Sequence, residues 1–176
     1  MTEREKNRQG FFGNFLIVVI VFAVIIAGLI YYSGHPLTPV AAVSKPSSLP
    51  VSEDSLKIIS YFGKTEHPIS GIVVNNQGID FAVSSGSPVY ASGGGEVLIA
   101  GQHGRYGLTV LLQHPDDYTT MYSNLGLIEV NVGDIVNEKE IIGLSLTAEQ
   151  DKESVIHFEL RKDGKPVNPE EAYGLK

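Results

Sequence analysis

The 176-residue sequence contains no cysteine, which excludes a disulfide framework, a thiolate zinc site, a catalytic thiol and an N-terminal cysteine able to carry lipid. Any metal chemistry must then come from histidines and carboxylates. Basic residues are in deficit: 13 Lys and Arg stand against 20 Asp and Glu, a formal net charge of −7. A reader of the phosphate backbone needs a basic face that displaces counterions, so nucleic acid is excluded as a partner. After residue 32 no segment sustains an apolar stripe at helical spacing for three turns, although residues 52–59 could form one short helix. Low-complexity repeats are absent too. Nineteen Gly and nine Pro suit a turn-rich β domain better than a disordered chain, and the length leaves room for one domain with a short appendage.

One long hydrophobic run is present. Residues 11–32, FFGNFLIVVIVFAVIIAGLIYY, number 32 − 11 + 1 = 22 and carry no charge, with only Asn14 strongly polar. About 20 apolar residues cross a bilayer as a helix, because a helix bonds every backbone group internally. The apolar core of a cleaved signal peptide is shorter, ~7–15 residues, so the run reads as an uncleaved transmembrane helix. Arg4, Lys6 and Arg8 precede it and the next cation is Lys45. Basic flanks stay inside, which places segment 1–10 in the cytoplasm and everything after the span outside, a single pass through the cell membrane. Tyr31 and Tyr32 close the span at headgroup depth. Residues 33–54, with Pro36, Pro39, Pro46 and Pro50, read as an extended extracytoplasmic linker. A folded domain is predicted over residues 55–170, followed by a tail, 171–176.

Within the domain, short β-branched or apolar runs alternate with Gly, Pro, Asn and Asp: residues 71–74, 79–83, 88–91, 96–100, 108–113, 118–122, 128–132, 141–146 and 155–161. Runs of this length at roughly ten-residue spacing predict an all-β, antiparallel, sandwich-like sheet domain. Val110, Leu112 and His114 alternate with Leu111 and Gln113, as in a strand with one face buried. Asn131-Val132-Gly133-Asp134 and Lys162-Asp163-Gly164-Lys165 predict tight turns in which Gly supplies positive φ.

Several stretches together resemble the LytM, or M23, family of zinc peptidases that cut the peptide bridges of peptidoglycan. They are Gly78-Ile79-Asp80-Phe81-Ala82, Gly86-Ser87-Pro88-Val89-Tyr90-Ala91, Gly95-Glu96-Val97, Tyr122-Ser123-Asn124-Leu125, Val130-Asn131-Val132-Gly133-Asp134-Ile135-Val136, His157-Phe158-Glu159 and Asp163-Gly164-Lys165-Pro166-Val167-Asn168-Pro169. They follow the family's order over residues 61–169. The resemblance implies a LytM-type β-sheet domain behind one N-terminal transmembrane helix. It also implies a zinc site built from a His-x-x-x-Asp pair and the second histidine of a His-x-His, with a fourth position open for water, the arrangement of a catalytic zinc.

Position by position, the sequence departs from that pattern. The first ligand position holds Asn76 in Asn76-Gln77-Gly78-Ile79-Asp80, leaving Asp80. The His-x-His reads Val155-Ile156-His157, and the other catalytic histidine falls on Asn124. An amide is a poor zinc donor. Neither Val155 nor Asn124 can exchange a proton near neutral pH. Asp80 and His157 therefore stand as vestigial metal ligands, expected to bond to each other or to water from adjacent strands, and no catalytic residue is assigned. His67 and His114 match non-ligand positions of the family, and His103 reads as a solvated turn residue between Gly101 and Gly107. No cofactor is expected, with Zn2+ the alternative.

The layout resembles the inactive sporulation members of the family, and predicts a membrane-anchored pseudoenzyme that binds or regulates an extracytoplasmic protein partner in sporulation or cell-envelope remodelling. The alternatives are a zinc endopeptidase acting on peptidoglycan, and a non-catalytic peptidoglycan binder that activates a separate hydrolase.

Overall fold

The computed structural model describes residues 45–175 apart from 53, 55, 67–70, 72 and 148–152. The segment read as a transmembrane helix, and His67, lie outside the described residues. Among the described residues no helix is long and apolar enough to cross a membrane.

Among the described residues twelve strands follow in chain order: β1 (Ile58–Ser60), β2 (Gly63–Glu66), β3 (Val73–Asn76), β4 (Ile79–Ser84), β5 (Pro88–Tyr90), β6 (Gly95–Gln102), β7 (Leu108–Gln113), β8 (Tyr118–Ile128), β9 (Ile135–Val136), β10 (Ile141–Ser145), β11 (Glu153–Lys162) and β12 (Lys165–Val167). One helix, α1 (Pro169–Tyr173), closes the described chain. All pairings are antiparallel, and the large sheet runs β1-β4-β11-β8-β7-β6-β9. β12 adds to β11, and β10 bridges the far half of β8 to β5. β2 and β3 form a separate hairpin.

Strand alternation builds the core. Ile156, Phe158 and Leu160 of β11 are fully buried with Phe81, Val110, Leu112 and Tyr122 from neighbouring strands. Phe158 is the hub, its ring centroid lying 5.5 Å from Tyr122 and 6.5 Å from Phe81. The opposite face of β11 carries Val155, His157, Glu159 and Arg161, because successive side chains point to opposite sides of a sheet. The predicted turn 162–165 is the two-residue hairpin between β11 and β12. Asp163 (φ 50°) and Gly164 (φ 72°) are both left-handed, the pattern that matches the twist of the flanking strands.

Three sequence expectations differ from the structure. Of the strand predicted over residues 128–132 only Ile128 lies in a strand, as the last residue of β8, which runs on from Tyr118. Beyond it Asp134 Oδ2 accepts from Asn131 N–H at 2.8 Å and fixes a turn. The short helix suggested for residues 52–59 gives way to β1, whose Ile58 and Ser60 pair with Phe81 and Asp80 of β4. The end of the predicted linker is docked. Ser47 N–H and Ser48 N–H donate to Ser92 O at 2.9 and 3.0 Å, and Tyr90 N–H donates to Pro50 O at 2.9 Å. Val51 enters the core at 4% exposure.

The tail docks as well. Asn168 caps α1 by accepting from Glu170 N–H at 3.0 Å, and Gly174 ends it in a left-handed conformation. Tyr173 then packs 6.0 Å from Phe158, and Lys45 Nζ donates to Ala172 O at 2.8 Å. Both described ends of the chain therefore meet on the core side of the sheet.

Candidate functional site

On the other side of the sheet, β4 and β11 place Asp80 and His157 directly opposite each other. His157 Nδ1 lies 2.6 Å from Asp80 Oδ1, and Nε2 lies 3.2 Å from Glu159 Oε1. Glu159 is completely buried. Its second oxygen accepts from Arg161, with Nε at 2.7 Å and Nη2 at 2.6 Å. Arg161 Nη2 also donates to Gln77 Oε1 at 2.8 Å, tying the pair to the β3–β4 turn. The result is a chain of alternating charge, Arg161–Glu159–His157–Asp80, three of the four on β11.

Burial is the largest influence on His157 and lowers its pKa. The hydrogen bonds and charges of Asp80 and Glu159 outweigh it and push His157 up to about 9. Burial likewise raises Glu159, but the bonds from His157 and Arg161 leave it below the usual carboxylate range. The imidazole is thus held as a cation between two carboxylates near neutral pH. Asp80 and Glu159 approach opposite ring nitrogens, so their oxygens diverge. No group of three His, Asp or Glu among the described residues is placed to hold a metal ion. Among the described residues the three-donor set that a catalytic zinc requires is not assembled.

Asn76 completes the cluster as a donor. Its Nδ2 gives to Ser60 Oγ at 3.1 Å and to Asp80 Oδ2 at 3.4 Å, while its Oδ1 accepts from Gly78 N–H at 3.1 Å. Gly78 has no alternative here, since a Cβ would lie 2.0 Å from Phe158 O. Asn124 sits one residue beyond Ser123, the β8 partner of His157. It has φ 61° at an irregularity in the β7–β8 register, where two residues of β8 oppose Thr109. Asn tolerates that left-handed conformation, and the extra residue makes the irregularity a bulge. Val155 pairs with Ala82 on the same face of the sheet as His157.

Above His157 lies the loop of the 3₁₀ turn Gly104–Tyr106. The Tyr106 ring stacks on His157 (5.9 Å, 22°) and on His103 (6.2 Å, 17°), and the Arg105 guanidinium sits 5.0 Å over Tyr106. His103 is exposed, as a turn residue should be, but its ring joins this stack. His114 is buried on the core side and does not take part. Sequence reading missed Glu159, Arg161, Gln77 and Tyr106 as site residues. Glu159 and Arg161 were findable, because positions two and four along a strand from His157 share its face. Tyr106 carries no such signal.

The fold and the ordered motifs define an M23-type domain. The family model Peptidase family M23 matches residues 74–169, more than half the chain, and the protein belongs to that family. It is 38% identical over 102 residues to the peptidoglycan DD-endopeptidase ShyA of Vibrio cholerae, which covers 58% of this chain and 24% of ShyA. The chain therefore spans about a quarter of that relative's length. It is 33% identical over 135 residues to the uncharacterized lipoprotein YgeR of Escherichia coli, covering 76% of this chain and 53% of YgeR. Among solved structures, a chain of the SpoIIQ–SpoIIIAH pore-forming complex superposes with a TM-score of 0.61 at 26% identity, covering 74% of this chain and 92% of that one.

Proposed function

We propose that this chain is a single-pass membrane protein whose extracytoplasmic M23 domain is catalytically inactive and acts by binding or regulating a protein partner during sporulation or envelope remodelling. The observation that carries the reading is the self-satisfied site. Both nitrogens of His157 are engaged by carboxylates, and Asn76 turns an amide N–H toward Asp80. Asn124 and Val155, at the positions the family resemblance gives to catalytic histidines, supply no group that could move a proton. Peptide hydrolysis by a bound zinc would need three ligands and a proton carrier, and Asp80 and His157 are the only survivors of that set.

One comparison supports the binding half of the proposal and another its membrane half. The SpoIIQ–SpoIIIAH structure is titled as a complex of two proteins, and YgeR is named a lipoprotein, which goes with membrane association. The test is metal analysis of the purified full chain in detergent, with digestion of cross-linked peptidoglycan in parallel. Substoichiometric zinc with no cleavage, and recovery of a membrane protein on pull-down, are the expected results.

The second reading, a zinc endopeptidase, is favoured by the name and 38% identity of ShyA. One equivalent of zinc that chelators remove together with peptidase activity would establish it against the first. Retention on purified wall material instead of a membrane protein would point to a peptidoglycan-binding activator.

A further inference from the structure

The end of the large sheet away from β1 is open. β9 is two residues long and pairs only with Gly95 and Glu96 of β6. Val97 is engaged by the turn before β9: its N–H donates to Asp134 O and its carbonyl accepts from Gly133 N–H, each at 2.9 Å. From Leu98 to Gln102, β6 pairs with β7 on one side and with no described residue on the other. Val97 faces Leu112 and Ile99 faces Leu111, which leaves Leu98 as the extra residue of a bulge. Val97 turns its backbone groups away from β7, so beyond the bulge Ala100 and Gln102 do the same. Their N–H and C=O groups form an unpaired row.

Free edges are usually blunted by charged side chains or proline, because an unpaired strand is a template for another. Residues 97–102, VLIAGQ, contain neither. Apolar surface lies beside them. Leu98, Val132 and Ile135 are exposed, and the bonds from Val97 to Gly133 and Asp134 hold that turn against this end of β6. Charge sits at the two ends of the row, and its sign differs between them. At the β9 end are Glu96 and Asp134, both exposed. At the other end the turn after β6 carries His103 and Arg105, also exposed. Arg105 Nη2 donates to Tyr106 Oη at 3.1 Å, and no carboxylate among the described residues hydrogen-bonds the guanidinium.

An edge that is acidic at one end and basic at the other is complementary to itself when a second strand runs antiparallel to it. We propose that the β6 edge joins two copies of this chain across a two-fold axis at Gly101, making one continuous sheet from two. In that register Ala100 of each copy faces Gln102 of the other, and both use their free N–H and C=O groups. Gly101 meets its own counterpart on the axis. That pair is of the close kind, with Cα atoms about 4.5 Å apart, and glycine keeps the contact free of side chains. Glu96 and Asp134 of each copy come to the His103–Arg105 end of the other, so opposite charges meet twice. The same turn covers Leu98. A parallel copy would set acid against acid. The contact uses the same surface on both copies, so it closes as a dimer and does not propagate. Both Asp80–His157 sites then open on the same side of the joined sheet. β7 and β8 separate β6 from β11, and the dimer does not depend on whether the domain is a binder or a peptidase.

The chain has no cysteine, so a single introduced thiol reports the contact. In the proposed register the Gln102 positions of the two copies lie diagonally across the axis, about 7–8 Å apart. Gln102→Cys in the full chain in detergent micelles, treated with a short bis-maleimide, should give a covalent dimer. Lys165→Cys on β12, in a chain that is otherwise the same, should give little. Arg105→Glu added to Gln102→Cys should lower the dimer yield about threefold or more, because it sets acid against acid. Glu96→Arg added to both should restore most of the yield, which a folding defect would not allow. No dimer from Gln102→Cys, equal dimer from Lys165→Cys, a yield indifferent to Arg105→Glu, or capture of a different protein by Gln102→Cys in native membranes would overturn the proposal.

Discussion

Asp80 Oδ1 and His157 Nδ1 lie 2.6 Å apart across the β4–β11 pair, and the carboxylate meets the imidazole as a proton partner. The other ring nitrogen faces Glu159, whose charge Arg161 shares. A histidine held this way is a structural cation, and the predictions below start from that state.

Asn76→His should raise zinc affinity by about tenfold or more, because Asn76 Nδ2 already lies 3.4 Å from Asp80 Oδ2. It should produce no peptidase activity, since Asn124 and Val155 still provide no imidazole. Zinc titration calorimetry and a peptidoglycan digest read the two halves separately. A working peptidase from this single change would mean that the roles given to those two positions are wrong.

Glu159→Gln should cost about 3 kcal/mol or more of stability in denaturant unfolding, because it leaves buried cationic partners without their counterion. Lys57→Ala removes an ion pair of similar length, 2.8 Å to Glu153 against 2.6 Å for Arg161 to Glu159, but both of its side chains are more than half exposed. That change should cost under about 1 kcal/mol. Equal losses from the two would contradict the weight given to burial.

The two histidines should act on stability with opposite signs. His157 sits at about 9 in the folded protein, above its unfolded value of 6.5. Its contribution is complete below pH 6.5 and is lost as the pH climbs to about 9, about 3 kcal/mol in all at roughly 1.4 kcal/mol per tenfold change in proton affinity. His114 is shifted the other way. Its contribution is complete above pH 6.5 and is lost as the pH falls below that value. Denaturation midpoints against pH should show the alkaline decline flattened in His157→Gln and the acid decline flattened in His114→Gln.

Gly78→Ala should cost about 3 kcal/mol or more, because the new methyl meets the backbone carbonyl of Phe158, its oxygen at 2.0 Å and its carbon at 2.8 Å. Gly164→Ala has open space around it and suffers only from φ 72°, about 1–2 kcal/mol. Thermal unfolding of the two variants should separate by several degrees.

The sheet was largely legible because its signals are local. The alternation of Val110, Leu112 and His114 placed one face of β7 inward, and all three are buried. Asp163-Gly164 announced a hairpin through its demand for positive φ. The continuation of β8 past Tyr122 was not legible, since Ser123-Asn124 looks like a break and is instead a bulge within a paired strand. The docking of residues 45–51 was hidden for a similar reason. A Pro-rich stretch reads as a spacer until Ser92 and Val51's neighbours are seen to receive it.

Residue chemistry alone settled which reactions this protein has groups for: without cysteine there is no thiolate, and Asn76, Asn124 and Val155 are not imidazoles wherever the chain folds. What Asp80 and His157 do instead was decided only by the tertiary structure. Strand register set them face to face, burial made Glu159 a charge that must be matched, and the loop carrying Tyr106 came to rest on the ring. Those pairings depend on distances between residues far apart in sequence, and no local pattern encodes such distances.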